Sequence, residues 1–184
     1  AAGGNIKLTG ATVTVSTAAD NLTFDNGDLV LSTNGTTTIS TTAAGAGDIQ
    51  IDGKIDGTTG TGNGSEALVI TSGTGSTTID GAIGSDNPVT TITIGSAGTG
   101  AIELLAIGDG SGYGATGAVA VGNTDTTTLT LDGTVYSTDS TQTYIAKAGQ
   151  NIDITDASTF TTTNDNVEFG TAGVDLINGN AGGA

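Results

Sequence analysis

The sequence contains no cysteine, histidine, methionine, tryptophan or arginine, and its single proline is Pro88. Without histidine and cysteine the chain has no Ser-His-Asp or Cys-His catalytic set, and it lacks the usual ligands of a zinc site. Without cysteine there is no disulfide framework. No apolar run approaches the ~20 residues of a membrane-spanning helix. We therefore expect a protein that is not an enzyme and does not insert into a membrane.

Positive charge is also scarce. Lys7, Lys54 and Lys147 stand against 19 acidic residues, which gives a formal net charge of −16. Nucleic-acid binding depends on lysine and arginine side chains that neutralise phosphates, so the composition argues against it. A large negative net charge instead favours solubility and attracts cations.

Small and β-branched residues dominate what is present. The chain has 32 glycines, few aromatic residues (3%), and many threonines, valines and isoleucines. Valine, isoleucine and threonine favour strands, whereas glycine marks turns. Short stretches alternate between apolar and polar residues, which is the period of a strand with one buried face. Examples are TVTV at residues 12–15, DLVLS at 28–32, ALVIT at 67–71, TTITIG at 90–95 and NVEFG at 166–170.

A strand, an Asp-Gly corner and another strand recur along the chain. The three copies are IDGKI at residues 51–55, IDGAI at 79–83 and LDGTV at 131–135. The first two aspartates, Asp52 and Asp80, are 28 residues apart, and Asp132 follows after nearly twice that interval. Periods of this length are typical of stacked repeats. We predict an all-β protein, a parallel β-solenoid (β-helix) of irregular coils of about 20–28 residues, forming a single β-repeat domain over residues 1–184. The alternative is a β-sandwich.

The strand repeats resemble those of large bacterial surface and secreted proteins, the filamentous-haemagglutinin-like adhesins. The resemblance lies in DIQIDGKIDG, ALVITSGTGSTTIDGAIGS, TQTYIAKAGQNIDIT and TFTTTNDNVEFG, which together span most of residues 47–170. It is a likeness of pattern rather than of one invariant motif. It implies an extracellular β-helical fibre or adhesin segment at the bacterial cell surface.

The Gly-rich C-terminal tail, residues 170–184, contains GTAGVDLIN at residues 170–178. This stretch is similar to the calcium-binding nonapeptide of RTX proteins, G-G-x-G-x-D-x-U-x, with Thr171 in place of the second glycine. The resemblance implies that Asp175 is a calcium ligand. The alternative is a glycine-rich terminus without a site.

Two further acidic clusters offer oxygen ligands of the kind that calcium prefers. DNGD contains Asp25 and Asp28, and TNDNVE contains Asp165 and Glu168. Neither cluster has EF-hand spacing. The alternative is that these residues hydrogen-bond the backbone of their own turns. Calcium is the only cofactor that the sequence suggests.

Thr-x-Thr triplets occur at residues 12–14, 91–93 and 128–130. Regular rows of such triplets on a flat solenoid face are found in some ice-binding proteins. Their intervals in this sequence are unequal, so we expect them to reflect ordinary strand alternation.

The predicted function is that of a non-enzymatic extracellular structural protein, a self-assembling segment of a fibre, surface layer or adhesin. Its expected partner is a second copy of itself, and other surface components or glycans are further candidates. The alternative function is a ligand-binding adhesin module, for glycans or a host surface, with its site on the Gly-rich loops at residues 57–65 and 108–117.

Overall fold

The computed structural model describes residues 4–32, 34–41, 46–58, 65–95, 97–98 and 100–170, together with the backbone of residues 176–179. Asp175 lies outside these residues. All the regular structure in the described part of the chain consists of β-strands, and every pairing between them is parallel. Each coil contributes three strands, and strands of successive coils stack into three faces. The predicted all-β parallel solenoid is confirmed.

The strands are distributed over the faces as follows. The first face contains β1 (Ile6–Thr9), β4 (Leu29–Ser32), β7 (Ile55–Asp56), the second half of β9 (Thr77–Ile83), the end of β11 (Ile102–Ile107), β14 (Val135–Ser137) and β17 (Thr159–Thr161). The second face contains β2 (Val13–Thr17), β5 (Thr36–Thr41), β8 (Ala67–Thr71), β10 (Thr91–Ile94), β12 (Val119–Gly122), β15 (Gln142–Ile145) and β18 (Val167–Phe169). The third face contains β3 (Leu22–Phe24), β6 (Ile49–Ile51), the first halves of β9 and β11, β13 (Leu129–Leu131), β16 (Asn151–Ile154) and β19 (Leu176–Gly179).

The core consists of aliphatic columns that run along the stack. Side chains alternate between the two sides of a strand, so in-register pairing places an inward residue of one coil on an inward residue of the next. The first face contributes the column Leu29, Ile55, Ile83 and Ile107, the second Ile39, Ile70, Ile94 and Val121, and the third Ile51, Ile79, Leu104 and Leu131. All of these side chains are buried, and each such burial contributes about 1.5–3 kcal/mol.

The Asp-Gly motif forms the corner between the third and first faces. The coils approach so closely there that a Cβ atom on Gly53 would overlap the Gly27 carbonyl oxygen, and one on Gly81 would overlap that of Gly53. Glycine is therefore required by the packing of one coil's backbone on the next. Asp52 and Asp80 occupy the same position in adjacent coils. In the next coil this position is held by Leu105, and in the coil after that by Asp132.

Coil length varies although the stacking does not. Along the second face, the step from a residue to its partner in the next coil ranges from 23 residues, Ala120 to Thr143, to 31 residues, Thr38 to Val69. The longest coil exceeds the predicted range. Extra residues are inserted between strands, so they lengthen a coil without shifting the strand register.

Candidate functional site

The outer side of the third face is acidic. Asp25, Asp52 and Asp80 directly follow three residues that are paired in register, so their carboxylates form a column across three coils. The Gln50 side-chain amide donates hydrogen bonds to Asp52 Oδ1 (2.9 Å) and Asp80 Oδ2 (2.6 Å). This amide bridges two coils and reduces the repulsion between their like charges.

Asp25 and Asp28, two of the predicted calcium ligands, lie at the first corner of the solenoid. Asp28 Oδ1 accepts a hydrogen bond from the Lys54 backbone amide (3.0 Å), so this carboxylate links its own coil to the next. Asp25 Oδ1 accepts a hydrogen bond from the side-chain amide of Asn26, which has a positive φ of 58°. Both aspartates therefore have structural partners at the turn.

Asp165 and Glu168, the second predicted pair, lie in the last coil, at the opposite end of the stack. Glu168 is on the outer side of β18, and its Oε1 accepts a long hydrogen bond from the Asn166 side-chain amide (3.5 Å). Asp165 precedes the strand, and its backbone carbonyl accepts a hydrogen bond from the Thr162 hydroxyl (2.6 Å). The structure thus keeps the two predicted clusters apart. Within residues 4–170, apart from the gaps given above, no three acidic side chains are grouped as metal ligands.

Two buried carboxylates on and beside the first face were not predicted. Asp56 is only 6% exposed, and its Oδ1 accepts hydrogen bonds from the backbone amides of Asp86 (2.9 Å) and Asn87 (3.4 Å). Burial raises the pKa of Asp56 above its ordinary value, although the two amides act in the opposite direction. Glu66 is 1% exposed and accepts hydrogen bonds from the backbone amides of Ser65 (3.1 Å) and Thr58 (3.3 Å). The alternation of apolar and polar residues in the sequence did not indicate that either carboxylate is buried, because both residues lie at strand ends.

A groove lies between the loop at residues 108–117 and the first face. Its volume is about 500 Å³, and it is lined by Gly110, Ser111, Gly112, Tyr113, Val135, Ser137, Thr159 and Thr161. Tyr113 is 37% exposed, and its hydroxyl hydrogen-bonds with that of Thr163. An accessible aromatic ring beside hydroxyl groups is a surface that can bind a sugar ring.

Among the described residues, the first coil has a neighbouring coil on one side only. Its inward side chains are half-buried or, for Ile6, 37% exposed, whereas Leu29, Ile39 and Ile51 at the same positions in the second coil are fully buried. β1, β2 and β3 each pair with a single neighbouring strand in the described chain. The first coil therefore presents both an apolar layer and three strand edges.

Comparison with known protein families, with curated proteins and with solved structures gave no match. A search of the described residues for a helix long and apolar enough to cross a membrane was likewise negative.

Proposed function

We infer that the chain is a non-enzymatic extracellular structural protein, a segment of a bacterial surface fibre, surface layer or adhesin that associates with copies of itself. The observation that supports this proposal is that β1, β2 and β3 each pair with only one strand of the described chain, so each leaves a free edge there. Unpaired strand edges of a solenoid pair readily with other strands, and a second copy of this chain can supply such strands. The resemblance of the repeats to those of bacterial surface adhesins supports the extracellular location.

The direction of the backbone hydrogen bonds favours head-to-tail stacking. On the third face, amides of inward residues donate to the following coil, as Leu22 does to the Asp48 carbonyl (2.8 Å). Amides of outward residues donate to the preceding coil, as Asp52 does to the Phe24 carbonyl (3.1 Å). Thr23, outward on β3, therefore directs its amide to the open side. The last coil of another copy offers the complementary acceptors, because the carbonyls of inward residues face the following coil, as the Phe24 carbonyl does for the Asp52 amide.

Calcium is the proposed regulator of this association. Stacked copies bring more carboxylates together on a chain whose net charge is already −16. A divalent cation coordinated by carboxylates such as those of Asp25, Asp28, Asp165 and Glu168, with Asp175 as the further candidate, would weaken this repulsion. Chelation of calcium is then expected to shorten or dissolve the assemblies. If chelation leaves them unchanged, association remains and the role of calcium is rejected.

Thr23→Pro tests the association directly. Proline removes the outward amide at a site where no described strand accepts its hydrogen bond, so the coil itself loses no bond. Thr23→Ala removes the same side chain but keeps the amide. We expect the wild-type chain and Thr23→Ala to sediment as concentration-dependent oligomers and Thr23→Pro as a monomer, all three with the same circular dichroism spectrum. Equal oligomerisation of all three would contradict stacking through this edge.

A second candidate function, an adhesin module for glycans, is favoured by the groove beside Tyr113. Aromatic rings bind sugars through their apolar faces, and losing such a contact costs on the order of 1 kcal/mol. We expect oligosaccharide binding in titration calorimetry to weaken roughly fivefold in Tyr113→Ala and to persist in Tyr113→Phe. Absence of binding to a broad oligosaccharide panel by the wild-type chain would reject this function without affecting self-association.

A further inference from the structure

The outer side of the second face carries a regular array of small hydroxyl and methyl groups. Its central column consists of Thr14, Thr38, Val69, Thr93, Ala120 and Thr143, and ends at Glu168. Beside it runs a second column with Thr36, Ala67 and Thr91. The strands β5 and β10 therefore each present two outward threonines in the same two columns.

Unequal intervals in the sequence do not exclude an aligned array on this face. Unequal intervals between Thr-x-Thr triplets indicated ordinary alternation, but insertions between strands change the interval without changing the register. Thr14 of the triplet at residues 12–14 and the whole triplet at 91–93 lie on strands of the second face, whereas Thr130 of the triplet at 128–130 lies on the third. Equal spacing exists in space although it is missing from the sequence.

The second face also differs from the rest of the molecule in charge. No outward residue of β2, β5, β8, β10, β12 or β15 is charged. The third face, in contrast, carries Asp25, Asp52, Asp80, Glu103 and Asp132. A polyanion or a divalent cation would find no charged partner on these six strands, and a sugar would find no aromatic ring. The face suits an uncharged, periodic surface that hydrogen-bonds.

The array is periodic in two directions and rigid. Neighbouring strands lie about 4.8 Å apart, and alternate residues along a strand are separated by about 6.6 Å. Threonine is restricted at χ1 because it is β-branched, so its hydroxyl and methyl groups stay in place without a further entropic cost on binding. The hydroxyls of Thr14, Thr38, Thr93 and Thr143 form no hydrogen bonds within the described chain, which leaves them available as donors and acceptors.

We propose that the second face binds the surface of ice. The hexagonal ice lattice repeats in two directions at distances comparable to those between strands and between alternate residues. The hydroxyls bond to lattice water, and the methyl groups of threonine, alanine and valine order the water between them. This binding is independent of end-to-end association, because it uses the side of the solenoid rather than its ends.

Thr93→Lys tests the proposal, since it places a long hydrated charge in the middle of the central column. Thr78→Lys is the matched control, because Thr78 is an outward, half-buried threonine on the third face, paired with Gln50 and Glu103. We expect the wild-type chain and Thr78→Lys to shape ice crystals, produce thermal hysteresis and inhibit ice recrystallisation. Thr93→Lys should lose at least tenfold in each activity while keeping the wild-type circular dichroism spectrum and melting temperature.

Thr143→Lys provides a second variant in the same column in case Thr93→Lys fails to fold. Absence of thermal hysteresis and recrystallisation inhibition in the wild-type chain would overturn the proposal. Equal activity of Thr93→Lys, Thr143→Lys and the wild type would overturn it as well. Association of wild-type copies that is abolished by Thr93→Lys, without ice activity, would mean that a second copy covers this face instead.

Discussion

From β4 to β13 the inward positions hold aliphatic side chains with a few threonines, whereas in β14, β15, β17 and β18 four aromatic rings fill positions in the same columns. Tyr136 stacks on its register partner Phe160 with ring centroids 4.9 Å apart, and Tyr144 stacks on its partner Phe169 at 5.3 Å. The coil geometry is the same in both regions. The comparison shows that the backbone ladder sets the register and that interiors of different volume fit within it.

The two regions differ in whether their buried polar side chains have hydrogen-bond partners. In the aromatic region, the Tyr144 hydroxyl donates to Gln142 Oε1 (2.7 Å), and the Gln142 amide donates to the carbonyls of Thr161 (2.7 Å) and Tyr136 (3.0 Å). Burial raises the pKa of both tyrosines, so their hydroxyls remain neutral donors. In the aliphatic region, the buried hydroxyls of Thr37 and Thr77 have no hydrogen-bond partner among the described residues.

The greatest loss of stability is expected for a substitution in the aromatic region. Tyr144→Ala leaves a large cavity between Tyr136 and Phe169 and removes the hydroxyl that donates to Gln142 Oε1, so we expect a loss of about 3–5 kcal/mol in the free energy of unfolding. Tyr113→Ala, at an exposed tyrosine, is expected to change it by less than about 0.5 kcal/mol. Urea denaturation measures both. Similar losses for the two variants would mean that the aromatic cluster does not hold the last coils together.

A smaller loss is expected at the Asp-Gly corner of the aliphatic region. In Gly81→Ala the new methyl group meets the Gly53 carbonyl, and the backbone must shift at a cost of about 1–3 kcal/mol. Gly112→Ala is the control, because a Cβ atom there meets no atom within 4 Å. A melting temperature of Gly81→Ala equal to that of the control would contradict the close packing of these corners.

The corner and the aromatic cluster also differ in how far the sequence predicted them. The Asp-Gly repeat indicated both a corner and the coil period, because glycine and strand alternation are local signals. The contact between Tyr144 and Phe169, the burial of Asp56 and Glu66, and the alignment of Thr38 with Thr93 depend on the register between coils. Insertions of different length separate those residues in sequence, so local patterns could not reveal the contacts.

A stabilising substitution is expected inside the aliphatic region. Thr77→Val keeps the shape of the side chain and removes a buried hydroxyl that has no partner, which should raise the free energy of unfolding by about 1 kcal/mol. Thr126→Val should lower it by a similar amount, because the buried Thr126 hydroxyl accepts a hydrogen bond from the Asn123 amide (2.9 Å). Destabilisation by both substitutions would show that the Thr77 hydroxyl forms a hydrogen bond in solution.

The smallest change in stability is expected from the titration of Asp56, and it depends on pH. Because burial raises the pKa of Asp56, the folded state binds a proton more tightly than the unfolded state, and this contribution to stability is lost as the pH rises through the folded-state pKa. Asp56→Asn keeps an oxygen acceptor but does not titrate. We expect its stability relative to the wild type to increase from pH 3 to pH 6 in thermal melts. A constant difference over this range would exclude a raised pKa.

Electron microscopy of the purified chain, over a range of concentrations, shows directly whether the coils of different copies associate. Stacking through the open first coil predicts filaments one solenoid wide, with an axial repeat of roughly 34 Å for seven coils spaced about 4.8 Å apart. Single particles at every concentration, or sheets formed by lateral contacts without this repeat, would contradict it.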